Sequence, residues 1–173
     1  MCIILGLADP SPLILNEKSA EFVMINQEKP LTQTVNKTIT INADAAKVWH
    51  VLTSTELMKQ WMSVPDMEII TDWKVGNPFI IRGILHATYM ENKGVVLQFD
   101  LEKILCYTHL SSLSQLPYEP GNYTVFEFVL TPTDQQTTLS LTISDFPTYS
   151  TYKHIFYYWN VTLELLKKFI ENQ

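Results

Sequence analysis

The sequence predicts an α+β domain: a curved antiparallel sheet of about six or seven strands wraps a long C-terminal helix, with two short helices after the first strand. Three observations carry this. The segment from Tyr149 to Asn172 repeats its apolar residues at helical spacing. Residues 67–146 hold a succession of short β-like runs separated by turn signals, with no helical pattern between them, as in an antiparallel meander. One alternating segment and two capped helical patterns precede that series.

The order begins at Thr34. Val35, Lys37, Ile39 and Ile41 alternate with Asn36, Thr38 and Thr40, the period-two pattern of a half-buried strand. NADAAKVWHVLT follows as a helix that Asn42 or Asp44 can cap, burying Val48, Leu52 and Trp49. Thr53 to Glu56 (TSTE) matches a capping box for a second short helix through Leu57, Met58 and Trp61, which Pro65 stops. MEIITDW then leads through the turn Lys74-Val75-Gly76-Asn77 to PFIIRG. Asn92-Lys93-Gly94 reads as another turn, before VVLQFDL and ILCYTHLSS. Past the loop QLPYEPGN, YTVFEFVLT and TTLSLTISDF form a hairpin that sets Phe126, Phe128 and Leu130 against Leu139, Leu141 and Ile143. In the closing helix Ile155, Trp159, Leu163, Leu166 and Ile170 share one face, Tyr158 and Phe169 flank it, and Phe156 lies on the other flank. That helix is roughly 35 Å long at 1.5 Å per residue.

Composition excludes several functions. The chain of 173 residues is 46% hydrophobic and carries 18 acidic against 12 basic side chains, a net charge of −6. This is a globular balance that disfavours nucleic acid and anionic membrane as partners. Cys2 and Cys106 form no CxxC pattern, which fits a reducing cytoplasm rather than a disulfide framework. The apolar start MCIILGL is too short to span a membrane and has no basic residue before it, so no membrane insertion is expected. Residues 1–33 are read as an N-terminal extension, with Met24 a possible true start, and residues 34–173 as the folded domain. Phosphate-binding glycine motifs are missing, so no cofactor is expected. No G-x-S-x-G elbow occurs, and His50, His86, His109 and His154 follow no metal-binding spacing, so no catalytic or metal residues are assigned. Cys106, beside Tyr107 in a strand, is read as a small hydrophobe.

The order of elements and Ile41 through Thr53 (INADAAKVWHVLT) resemble the C-terminal domain of activators of heat-shock protein 90 ATPase, within the START-related helix-grip (SRPBCC) superfamily. Further matches are Leu57 with Trp61, Val75-Gly76 before Phe79, and Lys93-Gly94-Val95 before Leu105-Cys106-Tyr107-Thr108. Thr138-Leu139-Ser140-Leu141 and the helix residues Trp159, Leu163 and Leu166-Lys167-Lys168 complete a resemblance running from Thr34 to Glu171. Tyr158 stands where the family often has glycine, and Gly76-Asn77-Pro78 replaces the usual Gly-Gly. Activators of this kind carry a further domain that contacts the chaperone, and residues 1–33 are too short to be one.

The resemblance implies a helix-grip fold holding an apolar or amphipathic small molecule between sheet and helix. Phe126, Phe128, Leu141, Tyr158 and Trp159 are the expected lining, an apolar surface with polar handles, the alternative being that they simply make the core. Asp145 continues the parity of Leu139, Leu141 and Ile143, which aims it at the mouth of the concave face, and Arg82 closes the strand FIIR, where it would meet a ligand carboxylate or pair with an acidic side chain; the alternative for both is a solvated strand end at the rim. The alternative is a protein-interaction module that modulates a chaperone ATPase. A cyclase or aromatase-type enzyme ranks last, because paired acid–base residues are scarce. An open cavity of roughly 300 Å³ would favour the first reading and a filled core the second.

Overall fold

Residues of alternate parity take opposite faces of a seven-stranded sheet in the computed structural model, which describes residues 32–173 apart from 65 and 86. Met24 and the extension up to residue 31 lie outside the described residues. Strand β1 (Val35–Ile41) is followed by helices α1 (Ala45–Thr53) and α2 (Thr55–Trp61). Strands β2 (Glu68–Ile70), β3 (Pro78–Leu85), β4 (Thr88–Asp100), β5 (Ile104–Ser111), β6 (Thr124–Thr133) and β7 (Gln136–Ser144) precede the long helix α3 (Tyr149–Glu171). The sheet order is β1-β7-β6-β5-β4-β3-β2, and every pair is antiparallel. This is the helix-grip arrangement: the inner face of the sheet and α3 bury each other.

The hairpin register is the one the apolar spacing predicts. Phe126 pairs with Ile143, Phe128 with Leu141 and Leu130 with Leu139, and all six side chains are buried. The inner face of α3 is equally dry, with Ile155, Trp159, Leu163, Leu166 and Ile170 all buried. Thr148 caps that helix by accepting from the Thr151 amide at 3.1 Å. At its far end the Glu171 carboxylate accepts from the Asn42 amide at 2.8 Å, tying α3 to the turn between β1 and α1.

Asp44, of the two candidates, caps α1, its Oδ1 accepting from the Lys47 amide at 2.7 Å. The cap of α2 is Ser54, one residue beyond the start of the TSTE match. Thr53 is spent inside α1, where its hydroxyl donates to the Trp49 carbonyl at 2.8 Å. The indoles of Trp61 and Trp73 donate to the carbonyls of Val51 and Thr53 at 3.2 and 2.8 Å, so these two rings are satisfied packing groups.

Asn92-Lys93-Gly94 is not a turn. It lies inside β4, and the reversal falls after Leu85, where Ala87 takes the left-handed conformation at φ 64. The glycine serves a close approach instead. A Cβ on Gly94 would sit 1.6 Å from the Thr108 carbonyl oxygen of β5. Glycine signals both conformational freedom and missing bulk, and here the second use applies.

Candidate functional site

The inner face of the central strands carries an aromatic wall. Tyr107 on β5 lies opposite Phe126 on β6, their rings 5.5 Å apart and tilted by only 10°. Trp159 of α3 closes over β6, 5.6 Å from Phe126 and 5.6 Å from Phe128. Away from the helix, Phe79 meets Tyr107 at 4.6 Å, Trp73 stacks on Phe79 at 5.3 Å, and Trp73 reaches Phe99 at 5.6 Å. Strand parity puts the Phe79, Tyr107, Phe126 and Phe128 rings on one side, and the mutual contacts of the aromatic rings fill much of the space under the helix.

One edge of the wall is polar. His109, two residues along β5 from Tyr107, shares its inward parity, pairs with Thr124 and meets the edge of Phe126 at 5.5 Å. Asn92 shares the inward parity of Met90 and Gly94 on β4 and pairs with Ile81 and Ser111. Its Oδ1 is buried and has no hydrogen-bond partner among the described residues. From α3, His154 and Tyr158 stack on each other at 6.4 Å, and Tyr158 lies edge-on to Trp159 at 5.9 Å. Tyr158 remains 39% exposed, so the cluster lies at the margin of the interior.

Burial sets the protonation of these groups. It pushes the Tyr107 hydroxyl well above its ordinary range, an effect the nearby Tyr158 hydroxyl reinforces. Tyr158 is raised for the same first reason. Burial, with His154 close by, pulls the His109 imidazole down to about 4. At pH 7 the three groups are a neutral imidazole and two neutral phenols. Cys106 faces away from this edge, opposite Glu127, and burial raises its thiol, so it is not an activated thiolate.

The residues singled out from sequence divide into three groups. Phe126, Phe128, Leu141 and Trp159 converge as expected, but as core side chains no more than 4% exposed. Tyr158 stands at the margin. Arg82 and Asp145 are not at the concave mouth. Arg82 has the parity opposite to Phe79 and Ile81, so it lies on the convex face, where its Nε donates to Glu68 at 2.7 Å. Asp145 leaves the strand in the left-handed conformation, φ 58, which ends the alternation that would have aimed it inward. Tyr107, His109 and Asn92 were missed, although the inward parity of Leu105 already extends to Tyr107 and His109.

A depression of about 340 Å³ lies between α2 and the C-terminal end of α3, lined by Gln60, Trp61, Leu165, Lys168 and Phe169 among others. Its lining mixes polar and apolar groups and lies outside the space between sheet and helix. No helix of the described residues is long and apolar enough to cross a membrane.

Comparison with known proteins agrees with this architecture. The family model described as Activator of Hsp90 ATPase homolog 1-like protein matches residues 42–171. The solution structure of ChR145 from Cytophaga hutchinsonii is similar, with 35% identity, a TM-score of 0.69, and coverage of 84% of this chain and 97% of that one. Protein MLL2253 from Mesorhizobium loti matches at 25% identity and a TM-score of 0.66, over 82% of this chain and 98% of that one. The Aha1 dimer from Colwellia psychrerythraea has the same fold at 23% identity, with a TM-score of 0.63 over 80% of this chain and 96% of that one. A search of curated proteins finds no match. With three quarters of its length inside the matched region, the chain belongs to the Activator of Hsp90 ATPase homolog 1-like family.

Proposed function

We propose that this domain binds an apolar or amphipathic small molecule at the margin between β5 and α3, against the wall formed by Tyr107, Phe126, Tyr158 and Trp159. The observation that carries this reading is the gathering of Asn92, Tyr107, His109 and Tyr158 at one end of an otherwise aromatic surface. A core serving stability alone gains nothing from a buried amide oxygen without a donor, which costs about 1–3 kcal/mol. A ligand that meets it recovers that cost. Entry requires Tyr158 to swing outward, which its partial exposure permits.

The test is native mass spectrometry of gently purified protein, with solvent extraction of anything retained, followed by uptake of the neutral fluorescent probe N-phenyl-1-naphthylamine. A retained apolar passenger, or saturable probe uptake that Tyr158→Ala alters, is the expected result. An empty protein that takes up no probe refutes the reading.

A second reading is a chaperone-ATPase-modulating interaction module. Two observations favour it: the interior is largely filled with side chains, and α3 leaves Tyr157, Val161 and Leu165 exposed at 66%, 60% and 42%. It predicts stimulation of a heat-shock protein 90 ATPase by the full chain, lost in Val161→Asp. Absence of stimulation at saturating protein refutes it.

A further inference from the structure

We propose that residues 13–25 of the N-terminal extension cross the outer face of α3 as a strap, with FVMI (22–25) on Tyr157 and Val161 and LIL (13–15) in the depression beside Trp61. The surface is a continuous apolar track. Tyr157, Val161, Leu165 and Phe169 follow one another every four residues, so each lies about 40° further round the helix than the last, and together they run diagonally over about 18 Å. Tyr157, Val161 and Leu165 are exposed, and Leu165 and Phe169 line the depression together with Trp61 and Gln60. An exposed apolar stripe that ends in a depression suits a chain lying along it.

The extension enters the fold where this track begins. Strand β1 is an edge of the sheet and runs beside α3 in the same direction: Lys37 donates to Asn160, and the Asn42 amide to Glu171. The strand from Lys37 to Asn42 and the helix from Asn160 to Glu171 each advance about 16.5 Å, so the two stay in step. Val35 therefore lies level with Phe156, next to the first residue of the stripe, and Lys37 sits over the Phe156 ring at 4.7 Å. Gln33, just before β1, keeps its Oε1 buried and without a partner among the described residues, so the chain is against the domain at that point. From Ile25 to Gln33 the chain spans up to about 26 Å, enough to round a helix about 10–12 Å across. Chemistry fits as well. Residues 13–25 read LILNEKSAEFVMI, two apolar runs with Glu17, Lys18 and Glu21 between them. The runs gain by leaving water, and Lys168, which lines the depression and has no ion-pair partner among the described residues, offers the acidic stretch a cation. The strap covers the face that the second reading offers to a chaperone, so the two occupants exclude each other.

The test is hydrogen exchange read by mass spectrometry on the full chain, on Val161→Asp and on Phe22→Asp, at two protein concentrations about twentyfold apart. The expected result is that amides of residues 13–25 exchange at least about tenfold more slowly than in an unstructured peptide, that either substitution removes this protection, and that dilution does not. Val161 is exposed, so its replacement spares the core, and unchanged exchange of the β6 and β7 amides in the same spectra is the control for folding. Exchange of residues 13–25 at unstructured rates in the natural chain overturns the strap. Protection that survives either substitution overturns its placement on α3. Protection lost on dilution overturns the intramolecular contact and assigns the stripe to a second copy of the chain.

Discussion

His109 makes the stability of this domain sensitive to mild acid in a way that can be calculated. In the folded chain its imidazole protonates at about 4, against 6.5 for the ordinary group. The unfolded chain therefore takes up a proton at higher pH than the folded one, and stability falls as pH drops from about 6.5 towards 4. Above 6.5 both states are neutral and the contribution is constant. At pH 4.5 the full difference amounts to about 2.5 kcal/mol, from 1.36 kcal/mol per pH unit. The ring keeps some solvent contact, so about half of that is expected. Urea unfolding followed by tryptophan fluorescence at pH 7.0, 6.0, 5.0 and 4.5, on the natural chain and on His109→Gln, isolates the effect because carboxylate titration is common to both. The variant should overtake the natural chain, or close on it, by about 1–1.5 kcal/mol between pH 7.0 and 4.5. Stability curves that stay parallel across that range would show that His109 is not held neutral by burial. The neutral site argued above would then lose its physical basis.

Three further predictions test the packing and the placement of charges. Phe128→Ala removes a ring 1% exposed that touches Tyr107 and Trp159, and should cost about 3–5 kcal/mol in urea unfolding. Gly94→Ala places a methyl 1.6 Å from the Thr108 carbonyl and should destabilise by about 2 kcal/mol or more, where a turn glycine at ordinary φ would tolerate the change. Arg82→Ala breaks an exposed pair on the convex face. It should leave stability nearly unchanged and probe affinity unchanged; a lost affinity would place Arg82 in the site after all.

Much of the fold was legible because one rule governs both levels: alternation sorts residues to the two faces of a strand, and 3.6-residue spacing sorts them on α3. Phe126, Phe128, Leu141 and Trp159 could be grouped from sequence on that basis alone. The rule fails where the backbone leaves its regular path. Asp145 was aimed inward by counting, and a single left-handed residue turned it out. Gly94 was read as a turn because sequence does not say whether a glycine is needed for its torsion or for its missing Cβ. Arg82 followed from its position at a strand end rather than from its parity, which matches Ile80 and opposes Ile81. The polar edge was hidden for another reason. Asn92 and His109 lie 17 positions apart in sequence and become neighbours only through the β4–β5 register, in which Asn92 pairs with Ser111 and Val96 with Tyr107.

The location of the site is the claim on which the rest depends, and an NMR titration tests it most directly. Protein labelled at its histidine and tyrosine rings would be titrated with N-phenyl-1-naphthylamine at pH 7. Saturable shifts confined to Tyr107, His109 and Tyr158, with the exposed Tyr89 and Tyr149 unmoved, are the predicted result. Shifts that spare Tyr107 and His109 while Tyr157 on the outer face of α3 moves would contradict it, and would place recognition on the helix surface.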